Sequence, residues 1–155
     1  MERIQEVADL FRLKEGDVIS ASDRYKLFTG PQVGNTPQKG INWVGKPPDI
    51  SLVIVRCEVF SGYGDRWIDE DSGIFLYYLM IEKRNTKSAR INHSSSENLA
   101  LLDQQVHKAP ILLLMDRNDK SGLLDVCGRF EVVSKCQDNE IHPGIDSVLL
   151  RRISP

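Results

Sequence analysis

The chain has 155 residues, of which 41% are apolar and 27% charged, and its formal net charge at pH 7 is −2. This length and composition fit a single domain over residues 1–155 and exclude a disordered or low-complexity protein. No apolar run approaches the roughly 20 residues that a membrane helix needs. The N-terminal residues mix both charges, so we expect no secretory signal and no membrane partner.

The cysteine and histidine content argues against a metal or cofactor protein. Cys57, Cys127 and Cys136 form no CxxC pair, which favours reduced thiols in the cytoplasm, with Cys57 in the core. The histidines lie far apart and match no zinc spacing. No GxGxxG, phosphate-binding loop or GxSxG motif occurs, so the sequence predicts no cofactor and no catalytic triad.

The first third of the chain predicts a helix, a short strand and a long irregular segment. Apolar residues at helical spacing favour an amphipathic helix over residues 2–13, and a brief strand follows at 18–20. Residues 29–49 are rich in Gly, Pro, Asn and Gln, with one short apolar stretch at 41–44. Long loops of this kind in compact domains tend to be functional.

The rest of the chain predicts strands around one further helix. β-Branched residues predict a buried strand over 50–60, and a second strand runs from 74 to 81. Ser94 and Glu97 form a capping-box pattern that opens a helix to about 106, with Leu99, Leu102 and Val106 on one face. Three more strands are expected, with a bulge at Gly128 in the second of them: 111–115, 123–133 and 147–153.

This order of elements lacks the regular alternation of strand and helix that marks a parallel sheet. It predicts an α+β fold with a curved, mostly antiparallel, barrel-like sheet and two flanking helices.

An aromatic set surrounds the two central strands and the turn between them. Tyr63, Trp67, Tyr77 and Tyr78 belong to it, and Trp43 lies in the long irregular segment. Aromatic faces can hold an extruded base, although aromatic residues on strands usually belong to the core. Tyr63 lies in a Gly-x-Gly turn, and a phenol near a loop more often faces a pocket.

A basic run and a weak nuclease pattern share one polar segment. Lys83, Arg84, Lys87 and Arg90 could contact phosphates, although such a run in isolation is more often a solvated loop. Asp49 followed by Glu82-Lys83-Arg84 weakly matches a metal-dependent nuclease site, but that site needs a lysine where Arg84 stands.

Six short segments follow one another along the chain, namely Gly16-Asp17, Pro37-Gln38-Lys39-Gly40-Ile41, Gly62-Tyr63-Gly64-Asp65-Arg66-Trp67, Phe75-Leu76-Tyr77, Glu97-Asn98-Leu99-Ala100-Leu101 and Val126-Cys127-Gly128-Arg129-Phe130-Glu131-Val132. Taken in order, these segments resemble an SRA-type (SET- and RING-associated) domain. More narrowly, the chain resembles the SRA-like domains fused to nuclease modules in modification-dependent restriction enzymes. The resemblance covers about residues 16–133, and it depends on the order of the motifs rather than on any one of them.

The resemblance implies a non-enzymatic domain that flips a modified cytosine out of double-stranded DNA. Tyr63 and Tyr77 would stack on the base, and Asp65 would accept a hydrogen bond from its exocyclic amine. Trp67 and Tyr78 would complete the pocket.

The same resemblance assigns two loops to DNA. Gln38 and Lys39 would face the DNA near the vacated position. The basic run would take the place of the family's groove-inserting loop: Lys83, Arg84, Lys87 and Arg90. A fused or partner nuclease domain would cleave the DNA. The alternatives are a small nuclease that uses Asp49 and Glu82, and a PUA-like RNA-binding module.

Overall fold

A computed structural model of the chain describes residues 1–58, 64–82 and 90–155. Within these residues, helices are few and short, and none is long enough to cross a membrane. They are α1 (Val7–Leu10), α2 (Ala21–Phe28), α3 (Ser96–Leu102) and α4 (Gln104–His107).

Strands make up most of the described secondary structure, and nine of them form one sheet. The strands are β1 (Val18–Ser20), β2 (Val33–Gly34), β3 (Ile41–Lys46), β4 (Asp49–Cys57), β5 (Arg66–Asp69), β6 (Ile74–Tyr78), β7 (Ile81–Glu82), β8 (Arg90–Ile91), β9 (Ile111–Asp116), β10 (Leu123–Cys136) and β11 (Ser147–Ser154).

The main sheet has the order β2-β3-β4-β9-β10-β11-β6-β5, with β1 also paired to β10, while β7 and β8 pair separately. Every pair in it is antiparallel except β4 with β9. The predicted α+β fold with a mostly antiparallel sheet is confirmed. The described helices number four, where the sequence predicted two.

The central strands are buried on both faces, which explains their nearly continuous apolar sequences. In β4, Leu52 and Ile54 face one cluster while Val53 and Val55 face another. We call these the α2 core, which contains Phe28, and the α3 core, which contains residues of α3. The end of the sheet at β5 and β6 packs on the α3 core.

A β-bulge at Gly128 changes which residues of β10 face each core. Between Val126 and Arg129, two residues of β10 oppose one residue of β9. Gly128 has φ +107°, and a Cβ there would lie 2.9 Å from the carbonyl oxygen of Ser154. Leu124 and Val126 consequently face the α2 core, whereas Phe130 and Val132 face the α3 core.

Several local predictions were wrong. The first helix covers only Val7–Leu10, and helix α2 was missed. The segment 29–49 contains β2 and the whole of β3, and Trp43 lies buried on β3. Helix α3 is capped by Ser95, whose side chain accepts from the Asn98 N–H, and Val106 is 81% exposed.

Candidate functional site

An open cavity of about 240 Å³ lies where the ends of β4 and β6 meet the loop that precedes β3. Most of its lining side chains are polar or charged. They are Gln38, Lys39, Gly40, Arg56, Glu58, Asp65, Tyr77, Tyr78 and Met80. The structure therefore brings together Gln38, Lys39, Asp65, Tyr77 and Tyr78, five residues that the motifs had singled out.

Asp65 is the buried acid of this cavity, with 7% of its surface exposed. Its Oδ1 accepts a 2.8 Å hydrogen bond from the backbone N–H of Tyr78. Among the described residues, Oδ2 has no hydrogen-bond partner. Burial raises the pKa of Asp65 to about 7, so the carboxyl group exchanges its proton near neutrality.

Tyr77 and Tyr78 are adjacent on β6 and have different surroundings. Tyr77 is 2% exposed and packs in the α3 core, while its hydroxyl lies 3.4 Å from the carbonyl oxygens of Gly40 and Arg56. Tyr78 is half-buried, and its hydroxyl donates to Asp138. Both rings are thus fixed at the hydroxyl end, which makes them rigid walls.

Gly64 allows the chain to pass close to one of these walls. Its φ is +99°, and a Cβ there would lie 2.9 Å from the Tyr78 ring. Only glycine fits this position without a shift of the ring. The close approach of the chain to the Tyr78 ring thus explains why a glycine precedes Asp65 in the sequence motif.

A fixed cation forms another part of the cavity wall. The Nη2 of Arg56 donates to Asp116 at 2.9 Å and to Glu58 at 3.5 Å. Sequence reasoning missed Arg56 and Glu58. The change from apolar to charged residues at the end of β4 is the signal that could have found them.

Met80, which also lines the cavity, is held by a buried asparagine of α3. The Oδ1 of Asn98 accepts from the Met80 N–H at 2.8 Å, and its Nδ2 donates to the Met80 carbonyl at 3.1 Å. The motif residue Asn98 therefore ties α3 to the strand end beside the cavity.

Trp67 does not belong to this cavity, contrary to the prediction. Its ring packs edge-on against Phe75 at 5.1 Å and at a tilt against Phe130 at 6.1 Å, with the Arg152 guanidinium 5.4 Å above it. Strand β5 pairs with β6, so Trp67 lies opposite Phe75 and joins the α3 core. The core interpretation of strand aromatics is correct here.

Several predicted residues fall outside the described part of the chain, namely Tyr63, Lys83, Arg84 and Lys87. Arg90 is exposed at the start of β8. Asp49 begins β4 and lines a different cavity, between the β3–β4 turn and helices α3 and α4. The side chain of Glu82 is not described, so its pairing with Asp49 stays a prediction.

The likeness to known proteins lies in the fold. No protein-family model and no curated protein sequence matches the chain. The DNA recognition domain of the cytosine modification-dependent restriction endonuclease LpnPI superposes with a TM-score of 0.61 at 14% identity, over 97% of this chain and 78% of that chain. The SRA domain of SUVH5 in complex with hemimethylated CG DNA gives a TM-score of 0.65 at 18% identity, over 92% of each chain.

A third similar structure is a whole enzyme. The DNA modification-dependent restriction endonuclease AspBHI superposes with a TM-score of 0.60 at 16% identity, over 97% of this chain and 45% of that chain. These superpositions lead to one conclusion: the chain has the SRA-like fold that its motifs predicted.

Proposed function

We propose that this chain is a DNA-reading domain that takes a modified cytosine out of a duplex and holds it in the cavity around Asp65. The observation that carries the proposal is a buried carboxyl group in an open cavity, with one oxygen bonded to the protein and the other without a protein partner among the described residues. A carboxylate oxygen in that state can accept from the exocyclic amine of cytosine.

The cavity walls suit a flat ring. Tyr77 offers an immobile aromatic side chain, and the Gly-x-Gly turn that precedes Asp65 would bring Tyr63 over the other face of the base. Gln38 and Lys39 are both exposed on the loop at the cavity rim, where they would meet the DNA around the vacated position. The basic run that ends at Arg90 would contact the phosphates.

The fold likeness supports DNA as the ligand. The structures with this fold include an SRA domain bound to hemimethylated CG DNA and a DNA recognition domain of a cytosine modification-dependent endonuclease. AspBHI is about twice as long as the region matched, which fits a reader that works with a fused or separate nuclease domain. We assign this chain the reading step and no cleavage step.

The test is a binding titration against matched duplexes that carry unmodified, 5-methylated or 5-hydroxymethylated cytosine at one position. We expect tighter binding to one of the modified duplexes. We further expect Asp65→Asn to remove this preference, at a cost on the order of 1–3 kcal/mol. Equal affinity of the native protein for all three duplexes would contradict the proposal.

A matched control separates the loss of the cavity carboxylate from a general change in the charge of the protein. Asp125→Asn changes a carboxylate that pairs with Arg117 on the exposed side of β10, so it should leave the preference intact. A single-stranded RNA of the same sequence tests the RNA-binding alternative. RNA binding tighter than binding to any duplex would favour the PUA-like interpretation.

A further inference from the structure

The loop that carries Gln38 and Lys39 to the cavity rests on a buried arginine. Arg24 lies on helix α2 with 1% of its surface exposed, and its guanidinium is 4.6 Å above the ring of Phe28. A fully buried arginine is rare unless it is paired with a carboxylate. Its hydrogen bonds within the described residues all go to neutral acceptors.

These acceptors belong to the cavity loop and to the strand that follows it. The Nη1 of Arg24 donates to the Pro37 carbonyl at 2.8 Å, and Nη2 donates to the Lys39 carbonyl at 3.0 Å. Nη2 also donates to Oδ1 of Asn42 at 3.0 Å. The guanidinium therefore binds the backbone on both sides of Gln38.

Two buried or half-buried asparagines complete the same network. The Nδ2 of Asn42 donates to the carbonyls of Gly34 and Thr36, each at 3.1 Å. The Nδ2 of Asn35 donates to the Ile41 carbonyl at 2.9 Å and to Glu97 of α3 at 2.8 Å. In the 35–40 loop, the carbonyls of Thr36, Pro37 and Lys39 thus accept hydrogen bonds from the buried side chains of Arg24 and Asn42.

The energetics of Arg24 argue against a role as a simple stabilising ion. Its Nε is buried without a hydrogen-bond partner in the described structure. Burial, and next the positive charge of Arg56, lower the pKa of Arg24 to about 10, so it stays charged at neutral pH. A buried charge without a counter-charge lowers the free energy of unfolding. Arg24 is therefore better explained by the geometry that it gives the 35–40 loop.

We propose that Arg24 is a positioning residue that fixes the 35–40 loop in the conformation in which Gln38, Lys39 and Gly40 line the cavity. The backbone is held, while the Gln38 side chain donates a hydrogen bond to the Tyr25 hydroxyl at 2.9 Å on an exposed surface and can turn toward a ligand. The consequence for DNA rests on the proposed function, whereas the ordering of the loop does not.

The first test measures loop order without DNA. Amide hydrogen exchange should show protection at Thr36 and Lys39, whose N–H groups donate to Asn35 Oδ1 and the Thr36 carbonyl. Arg24→Lys keeps the charge but cannot bridge the two carbonyls in the same plane. We expect this variant to speed exchange at both amides by about tenfold or more.

The control is Leu124→Ala, a deletion in the α2 core on β10 that also lowers stability. It should leave loop exchange unchanged at temperatures where the fold persists. Free exchange of Thr36 and Lys39 in the native protein would overturn the proposal, even if every Arg24 variant failed to fold. Equal exchange in Arg24→Lys and Leu124→Ala would overturn it as well.

The second test uses the methylated and unmodified duplexes. Arg24→Lys should weaken binding to the preferred modified duplex by about tenfold and leave the salt dependence unchanged, because Arg24 is buried and touches no phosphate. Unchanged affinity would contradict the positioning role. If the native protein shows no preference among duplexes, the proposed function fails while the exchange experiment still decides the role of Arg24.

Discussion

One oxygen of Asp65 accepts a hydrogen bond from the Tyr78 N–H, and the other is left for a ligand. The binding of a base at this carboxyl group should therefore depend on pH. The remaining oxygen accepts more strongly from a base amine when the carboxyl group is ionised, and the pKa of Asp65 is about 7. We expect affinity for the modified duplex to fall as the pH decreases from about 8 to about 6. Titrations at several pH values on modified and unmodified duplexes measure this effect.

The variant Asp65→Asn should remove that pH dependence, because the amide does not titrate. Affinity that rises on acidification would instead mean that a protonated Asp65 donates to the base, which would reverse the role assigned to it.

The same group makes folding stability depend on pH. Its folded pKa of about 7 lies above the ordinary value of 3.8, so between these values the folded protein retains a proton that the unfolded chain releases. Stability contributed by Asp65 is therefore present at low pH and decreases as the pH rises through this window.

We accordingly expect Asp65→Asn, which can still accept from the Tyr78 N–H, to gain stability relative to the native protein as the pH rises. The gain between about pH 5 and pH 7 should be on the order of 2 kcal/mol in urea unfolding. A constant difference across this range would show that the carboxyl group is not buried as described.

At the level of single residues, the sequence could predict contacts that a local motif carries. Asp65, Tyr77 and Tyr78 follow from the order of the turn and the next strand. Arg24 could not be predicted, because its acceptors lie 13 to 18 residues away. Trp67 was misplaced because a strand residue faces either the core or a pocket, and only the pairing of β5 with β6 decides which.

The basic loop is the element on which DNA affinity is expected to depend. Changing Lys83, Arg84, Lys87 or Arg90 singly to alanine should weaken binding to modified and unmodified duplexes alike, and each change should reduce the salt slope by about one counterion. The net charge of −2 leaves little general attraction to mask this effect. Unchanged salt slopes in all four variants would contradict a phosphate-binding role.

The bulge in β10 offers a test of the fold. In Gly128→Ala, the methyl group would meet the Ser154 carbonyl at 2.9 Å in addition to the strain of φ +107°. Gly122→Ala is the matched control, since its φ is +70° and no atom lies within 4 Å of the added Cβ.

We expect a loss of about 2–3 kcal/mol for Gly128→Ala and about 1 kcal/mol for Gly122→Ala in urea unfolding. Equal losses would mean that the strand shifts easily to accept a side chain at the bulge.

At the level of secondary-structure elements, strands could be predicted from the sequence where apolar runs are long. The predicted strands over 50–60, 111–115, 123–133 and 147–153 agree closely with β4, β9, β10 and β11. Helix α2 was missed because its apolar pattern is weak and its inward face includes Arg24. Its capping by Ser20, whose side chain accepts from the Asp23 N–H, is a local signal that could have revealed it.

At the scale of the whole molecule, the parallel pairing of β4 with β9 was the least predictable feature. These strands are separated by the segment from 58 to 110, and no local pattern says that they meet. The overall class was predictable because the order of elements excludes regular βαβ units.

The proposed reading function predicts that this chain does not cut DNA by itself. We expect no cleavage of any of the duplexes with Mg²⁺ or Mn²⁺, since a metal-dependent site needs two acidic ligands held together. Incubation with plasmid and modified duplexes, resolved on gels, measures this. Cleavage that Asp49→Asn abolishes would support the nuclease alternative instead.

The β-bulge at Gly128 also fixes which alternate residues of strand β10 face each core. Upstream of the bulge, even-numbered residues such as Leu124 face the α2 core, and downstream, even-numbered residues such as Phe130 face the α3 core. A single inserted or deleted residue in this strand would exchange the two faces for every residue up to the nearest strand end. Length changes in β10 should therefore be tolerated only in pairs. A chimera that grafts half of this strand from another domain of this fold must keep the bulge at Gly128 so that both cores stay filled.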